Sequence, residues 1–456
     1  MRFSPDVPCS ARLARPGFLA LILALLITTS PSARTAQRGG WADEELTRLE
    51  AQLAWWLPLP LNFTVSIVEY QLLDGVVYAI GSDGDVRAVR ADNGQFLWIA
   101  EIGGTAERIF PGVRYNDPEG HTVVFGRLTE QVMLDVQTGN EIRRVPLDVA
   151  IAAPPAFGDG VRFVPSVNRQ MICYDIEHDL PLWRVRTNAP MFVPPIYRAA
   201  DNLLVFIDDS GSIWACDDQK QEVFRRELNA SPRGQMALDD NVLVIATSGD
   251  VSYLHGIDVR TGETLREPYR LAGKPQGGPV LTKQGVYQSI MFGGLHRVGR
   301  DGGDWFLPEA RQFLAHWPDR VVVLRNDGRI QWVDPQTGES RGILEGYRFR
   351  HGVSNPYNDL VIVATERGEI RALRPAGAPP VDPKSFIPTT QPVTQPAEEP
   401  VADEPEAELS ADDRPAPRPA ARPITAAVRP AAPPPAQPAP AAAPAERSGD
   451  TGNLFR

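Results

Sequence analysis

One stretch of the chain has the residue types of a partner-binding segment: Tyr347-Arg348-Phe349-Arg350-His351, with Trp305 and Trp317 nearby in what the pattern places as loops. Alternating arginines and rings offer cations and flat apolar faces, the residue types that dominate protein interfaces. The plainer alternative puts Tyr347 and Phe349 in a core and leaves the arginines solvated or paired. Chemistry of other kinds finds little support. The six histidines, His121, His178, His255, His296, His316 and His351, are scattered without the H-E-x-x-H spacing of a zinc site. No G-x-S-x-G elbow or glycine-rich phosphate loop occurs. Ser82-Asp83-Gly84-Asp85 and Asp208-Asp209-Ser210-Gly211 imitate calcium loops but lack the twelve-residue order and closing glutamate. Neither a metal nor a cofactor is therefore expected.

Composition excludes further classes. Among 456 residues the formal charge is -11, which argues against nucleic acid, since phosphate binding needs clustered Lys and Arg. Three cysteines, Cys9, Cys173 and Cys216, are too few for a disulfide scaffold, and the latter two are expected as free thiols. Of 44 prolines, 20 lie at or after Pro375. Residues 375–456 hold only two aromatics, Phe386 and Phe455. They read as a disordered Pro/Ala-rich spacer, because so little apolar surface cannot offset chain entropy.

The start reads as an address. Arg2, Arg12 and Arg15 precede an apolar run from Gly17 to Thr29, followed by small residues. That layout is a secretory signal peptide over residues 1–36, whose run is too short for a stable membrane span. An exported, monomeric protein is expected, with an uncleaved anchor as the alternative. No cysteine follows the run, so lipid attachment is not indicated. Over residues 41–57, Leu46, Leu49, Leu53 and Leu57 fall on one helical face behind Asp43, Glu44 and Glu45, which predicts an amphipathic helix.

These segments flank a repeat of about 40 residues. Its clearest copy runs Gly75-Val-Val-Tyr-Ala-Ile-Gly81, a Ser-Asp-Gly turn, Asp85-Val-Arg-Ala-Val-Arg90, an Asp-Asn-Gly94 turn and Gln95-Phe-Leu-Trp98. Alternating apolar residues mark strands, and Asp-Gly and Asn-Gly mark hairpins. The second turn returns as D-x-x-T-G at Asp135–Gly139, Asp258–Gly262 and Asp334–Gly338. Four short strands cannot bury their own faces, so such units stack radially into a β-propeller. The count predicts an all-β propeller of eight four-stranded antiparallel blades over residues 61–374, with seven as the alternative. The eighth copy stops before its outer strand, and Leu61–Ser66 is expected to supply it.

The combined pattern, V-Y-x-G-x, D/N-G, x-L-x-A-x-D-x-x-T-G and L-x-W, resembles the pyrroloquinoline-quinone (PQQ)-type propeller repeat. The resemblance implies that the tryptophan closing each repeat packs between blades; Trp98 and Trp183 match it, Phe224 is similar, and Arg143 and Arg266 replace it. One branch of that family holds quinone and calcium, with adjacent cysteines and added loops that this chain lacks. The other is non-enzymatic, and this chain is similar to its outer-membrane assembly factor of the BamB type. The resemblance implies an exported, non-catalytic scaffold for a protein or cell-envelope partner. The alternatives are a relic PQQ-dependent oxidoreductase, another propeller enzyme, or a carbohydrate-binding module of the cell surface.

Overall fold

In each copy of the repeat the turn chemistry is local, and it sets the register of the strands around it. Asp135 accepts hydrogen bonds from the amides of Gln137 (3.1 Å) and Thr138 (2.7 Å). Asp258 and Asp334 do the same at 2.8–3.2 Å, and each turn's threonine hydroxyl accepts from an amide two residues on. The glycine that follows is left-handed in all three, at φ 69°, 75° and 72°. The computed structural model describes residues 43–115, 121–300 and 302–386, and their strands form eight antiparallel sheets.

We number these sheets as blades 1 to 8: residues 67–101, 113–146, 156–186, 196–227, 231–270, 280–307, 310–344 and 351–375. Seven sheets have four strands; in blade 5 two short inner strands, Ser231–Pro232 and Ala237–Asp239, pair with the same neighbour. The fold is the expected eight-bladed propeller. Because each blade is an antiparallel meander, its two outer hairpin turns share one end, which we call the turn face. The central hairpin and the linkers between blades share the other end, the loop face. Eight separate clusters of buried apolar residues fill the eight blade junctions.

The ring closes differently from expectation. The helix predicted over 41–57 is helical only at Asp43–Arg48, and Ala51–Pro58 is a strand. That strand pairs with Glu369–Pro375 and supplies the missing outer strand of blade 8. Leu61–Ser66 is not a strand but part of the linker into blade 1. The misreading has a simple cause. Leu49, Leu53 and Leu57 are four apart and fit one helical face, but in the strand a bulge between Leu53 and Trp55 turns Leu53 toward blade 7 and Leu57 toward blade 1. The unpaired edge of blade 8 then decides in favour of the strand. Leu49 still packs inward, against Gly342 of blade 7.

The order of the chain also extends past Pro375. Residues 376–386 are described, and Phe386 is fully buried against Gly75. The disorder expected from 375 therefore does not hold up to Phe386, because one aromatic ring finds a place between blades 8 and 1. The predicted signal peptide (1–36) and residues 387–456 of the tail lie outside the described residues. No described helix is long and apolar enough to cross a membrane.

Candidate functional site

The junctions account for several of the residues first suspected of binding. Trp305 sits on the outer strand of blade 6, buried, with its indole N–H donating to the Pro335 carbonyl at 3.1 Å. Trp317 follows the inner strand of blade 7, buried edge-on against Trp332 at 5.4 Å. Both were placed in loops because the shortened blade 6 hides the repeat spacing. They are wedges in the ring rather than exposed platforms. Trp98 and Trp183 play the same part, donating to Val136 (2.8 Å) and Asp218 (2.6 Å) of the following blade. Trp55 does so from the closing strand, donating to Ala91 at 2.8 Å. The turn glycines make room: a Cβ on Gly262 would lie 2.5 Å from the Phe224 ring.

Tyr347–His351 does not form one strand. Residues 347–350 belong to the linker into blade 8, and only His351 enters its inner strand, His351–Val353. Phe349 is buried, its amide bonded to Gly328 O at 2.7 Å. Tyr347 stacks on Phe349 at 5.9 Å and lies under the Arg371 guanidinium at 3.8 Å. Arg348 bonds the Asp327 carbonyl at 3.1 Å. Arg350 projects into solvent and pairs with Glu366 at 3.0 Å. His351 packs at 5.3 Å from the Tyr70 ring, and burial pushes its pKa down. Of the five, Arg348 and Arg350 are exposed.

The buried histidines are likewise structural. Burial holds His255, His296 and His316 down at about 4, so each stays neutral near pH 7. His296 accepts the Ala272 amide at 2.9 Å, and His255 shares a 2.9 Å hydrogen bond with Thr247. Cys173 and Cys216 are free and buried in the cluster between blades 3 and 4, with burial raising both thiols to about 12. Among the described residues no group of acids, histidines and cysteines is disposed to hold a metal ion.

Several of the exposed large apolar side chains gather on the loop face, beside others spread over the outer strands, and sequence reasoning missed them. Phe63 in the linker into blade 1, Leu128 and Val167 in the central hairpins of blades 2 and 3, and Phe192 before blade 4 are all exposed there. So are Met291 and Phe292 in the central hairpin of blade 6. Phe292 is 100% exposed and adopts a left-handed backbone at φ 66°, a conformation costing a non-glycine residue about 1–2 kcal/mol. Its hairpin is tied down on both sides: Met291 N–H bonds Lys274 O and Gly294 N–H bonds Ala310 O, both at 2.8 Å. Phe192 is held outward by neighbours Met191 and Val193, which are buried. The available signal was a Met-Phe pair standing where the central hairpins of blades 1, 3, 4, 5 and 7 carry Asp or Asn. Ion pairs frame this face, among them Arg127 with Glu107 and Glu130, and Arg329 with Asp327. The Arg329 hydrogen bond holds the Asp327 carboxyl down at about 2.

Comparison with known proteins agrees with this architecture. The family described as outer membrane protein assembly factor BamB matches residues 129–341, within blades 2 to 7. The BamB of Burkholderia pseudomallei (strain K96243) is 25% identical over 286 residues, 56% of this chain and 73% of that protein. The crystal structure of BamB from Moraxella catarrhalis superposes with TM-score 0.54 at 18% identity, over 71% of this chain and 97% of that one. The computationally designed Ika8 protein follows at TM-score 0.51 and 15% identity, covering 70% and 98%. At these identities the solved structures speak for the fold alone.

Proposed function

We propose that this chain, a PQQ-like propeller similar to the BamB assembly factors, is a non-catalytic scaffold of the cell envelope that docks a protein of the outer-membrane assembly machinery. The relatives' description as assembly factors supports the partner class. The observation that carries the reading is Phe292, a bulky apolar side chain held fully in water on a left-handed backbone. Strain of this kind persists where the surrounding structure over-determines it, and it concentrates at functional sites. Phe63, Phe192 and Met291 add apolar anchors to the same face, and the exposed Arg350–Glu366 pair adds polar groups beside the linker into blade 8. Aromatic anchors set in a polar rim are the general form of a protein-docking surface.

The test is the triple variant Phe63→Ser, Phe192→Ser, Phe292→Ser expressed in place of the natural chain. The reading expects normal amounts of the variant with reduced levels of folded outer-membrane β-barrels. Unchanged barrel levels at normal variant abundance would overturn it.

A further inference from the structure

The junction between blades 5 and 6 lacks its wedge at the turn end; Tyr269 of blade 5 reaches His296 of blade 6 at 5.6 Å, but beside Leu254, nearer the loop end. At the equivalent register position the outer strands carry Trp98, Arg143, Trp183, Phe224 and Trp305, and the closing strand carries Trp55. In blade 7 the position is Gly342, and Leu49 from the distant N-terminal segment enters instead. In blade 5 the residue at this spacing from the turn glycine is Arg266. Pro268 lacks an amide donor, and the outer strand shrinks to Tyr269–Arg270. A cavity of about 220 Å³ results, walled by Val244, Leu254, Val286 and Val298 and rimmed by Arg266 and Arg300.

We infer that this slot is a recognition pocket for one aromatic side chain carried on an acidic segment of a partner protein. Size fits: an apolar cavity of about 150 Å³ takes a benzene ring. Precedent lies within the molecule, since five sibling junctions seat an aromatic ring and a sixth takes a side chain from a separate segment. Charge selects the company the ring keeps. Arg266 forms no hydrogen bond or ion pair among the described residues, whereas Arg143, its counterpart in blade 2, is paired with Asp179. Arg300 brings a second cation to the rim, paired with Asp239. An unpaired guanidinium group beside an apolar hole favours carboxylates flanking the inserted ring. The slot opens at the turn face, opposite Phe292, so it is a second contact independent of the loop-face reading.

The test titrates the full chain into fluorescein-labelled Gly-Asp-Glu-Phe-Glu-amide and follows anisotropy. The same peptide with alanine for phenylalanine, and one with lysine for each acid, serve as controls. Two variants probe the slot. Gly256→Phe fills it from inside, where a Cβ meets nothing within 4 Å, and Arg266→Glu reverses its charge. The inference expects saturable binding at or below about 1 mM, weakened at least about tenfold in each control peptide and each variant. Phe292→Ser should leave this binding unchanged, which separates the slot from the loop face. Equal binding of the alanine peptide, no saturation, or full affinity in Arg266→Glu overturns the inference even if Gly256→Phe does not fold. Affinity that falls as the protein self-associates also overturns it, by naming a second copy as the occupant.

Discussion

The two ends of the propeller spend their side chains in opposite ways. On the turn face, aromatic rings of one blade lie on the turn glycine of the next and donate to its backbone, as Trp98 does to Val136. The wedge rings there are buried, and left-handed turn positions go to glycines such as Gly139, Gly262 and Gly338 or to polar residues such as Asp74, Asp179, Asn202 and Asp240. On the loop face glycines such as Gly84, Gly211 and Gly328 fill most such positions, but one bulky apolar residue, Phe292, takes a left-handed backbone and stays in water. One end holds the ring together, and the other displays apolar groups at a cost in stability. The turn face also varies within itself. The clusters at junctions 2–3 and 5–6, where arginine replaces the wedge, contain six and seven buried residues, the smallest of the eight.

Variants at the two ends should therefore separate stability from function. The largest effect is expected for Trp98→Ala, which removes a buried ring and its hydrogen bond; urea unfolding should show a loss of about 3–5 kcal/mol. Acid should produce the next effect. His255, His296 and His316 titrate at about 4 in the fold against 6.5 unfolded, so the unfolded chain binds more protons between those values. Their stabilising contribution is whole above about pH 6.5 and is lost as pH falls toward 4. Thermal midpoints should drop over that window, and less steeply in His316→Gln. Asp179→Ala comes third. It strips the partner from Arg162, which is 1% exposed, and from Arg143, for a loss of about 2–3 kcal/mol. The smallest change in stability, in the opposite direction, is expected for Phe292→Gly. Relief of the left-handed strain should raise stability by up to about 1 kcal/mol while barrel assembly falls. Equal stability losses at both ends would erase the distinction.

The legible parts of the chain were those governed by neighbours a few residues away. The Asp, Thr and Gly of each turn bond within the turn, so three copies of D-x-x-T-G revealed the repeat length and the local register, from which eight blades, with seven as the alternative, were counted. Parts governed by distant partners were hidden. Ala51–Pro58 became a strand because Glu369–Pro375 had a free edge, information more than 300 residues away. Phe386 found Gly75 across the same gap. Trp305 belonged to the wedge series, but the deletion in blade 6 moved it out of phase. Phe63 and Phe192 carried no periodic signal, and Phe292 only a departure from it, since loops answer to the partner rather than to the blade.

The claim that the loop face is the working end has one direct test. A benzophenone side chain placed at position 292 and, separately, at rim position Ile142 of the outer strand of blade 2 can be photoactivated in cells. The account predicts an adduct with an outer-membrane assembly component from position 292, absent from position 142 and reduced when Phe63 and Phe192 are serine. No adduct from 292, or an equal one from 142, would contradict it.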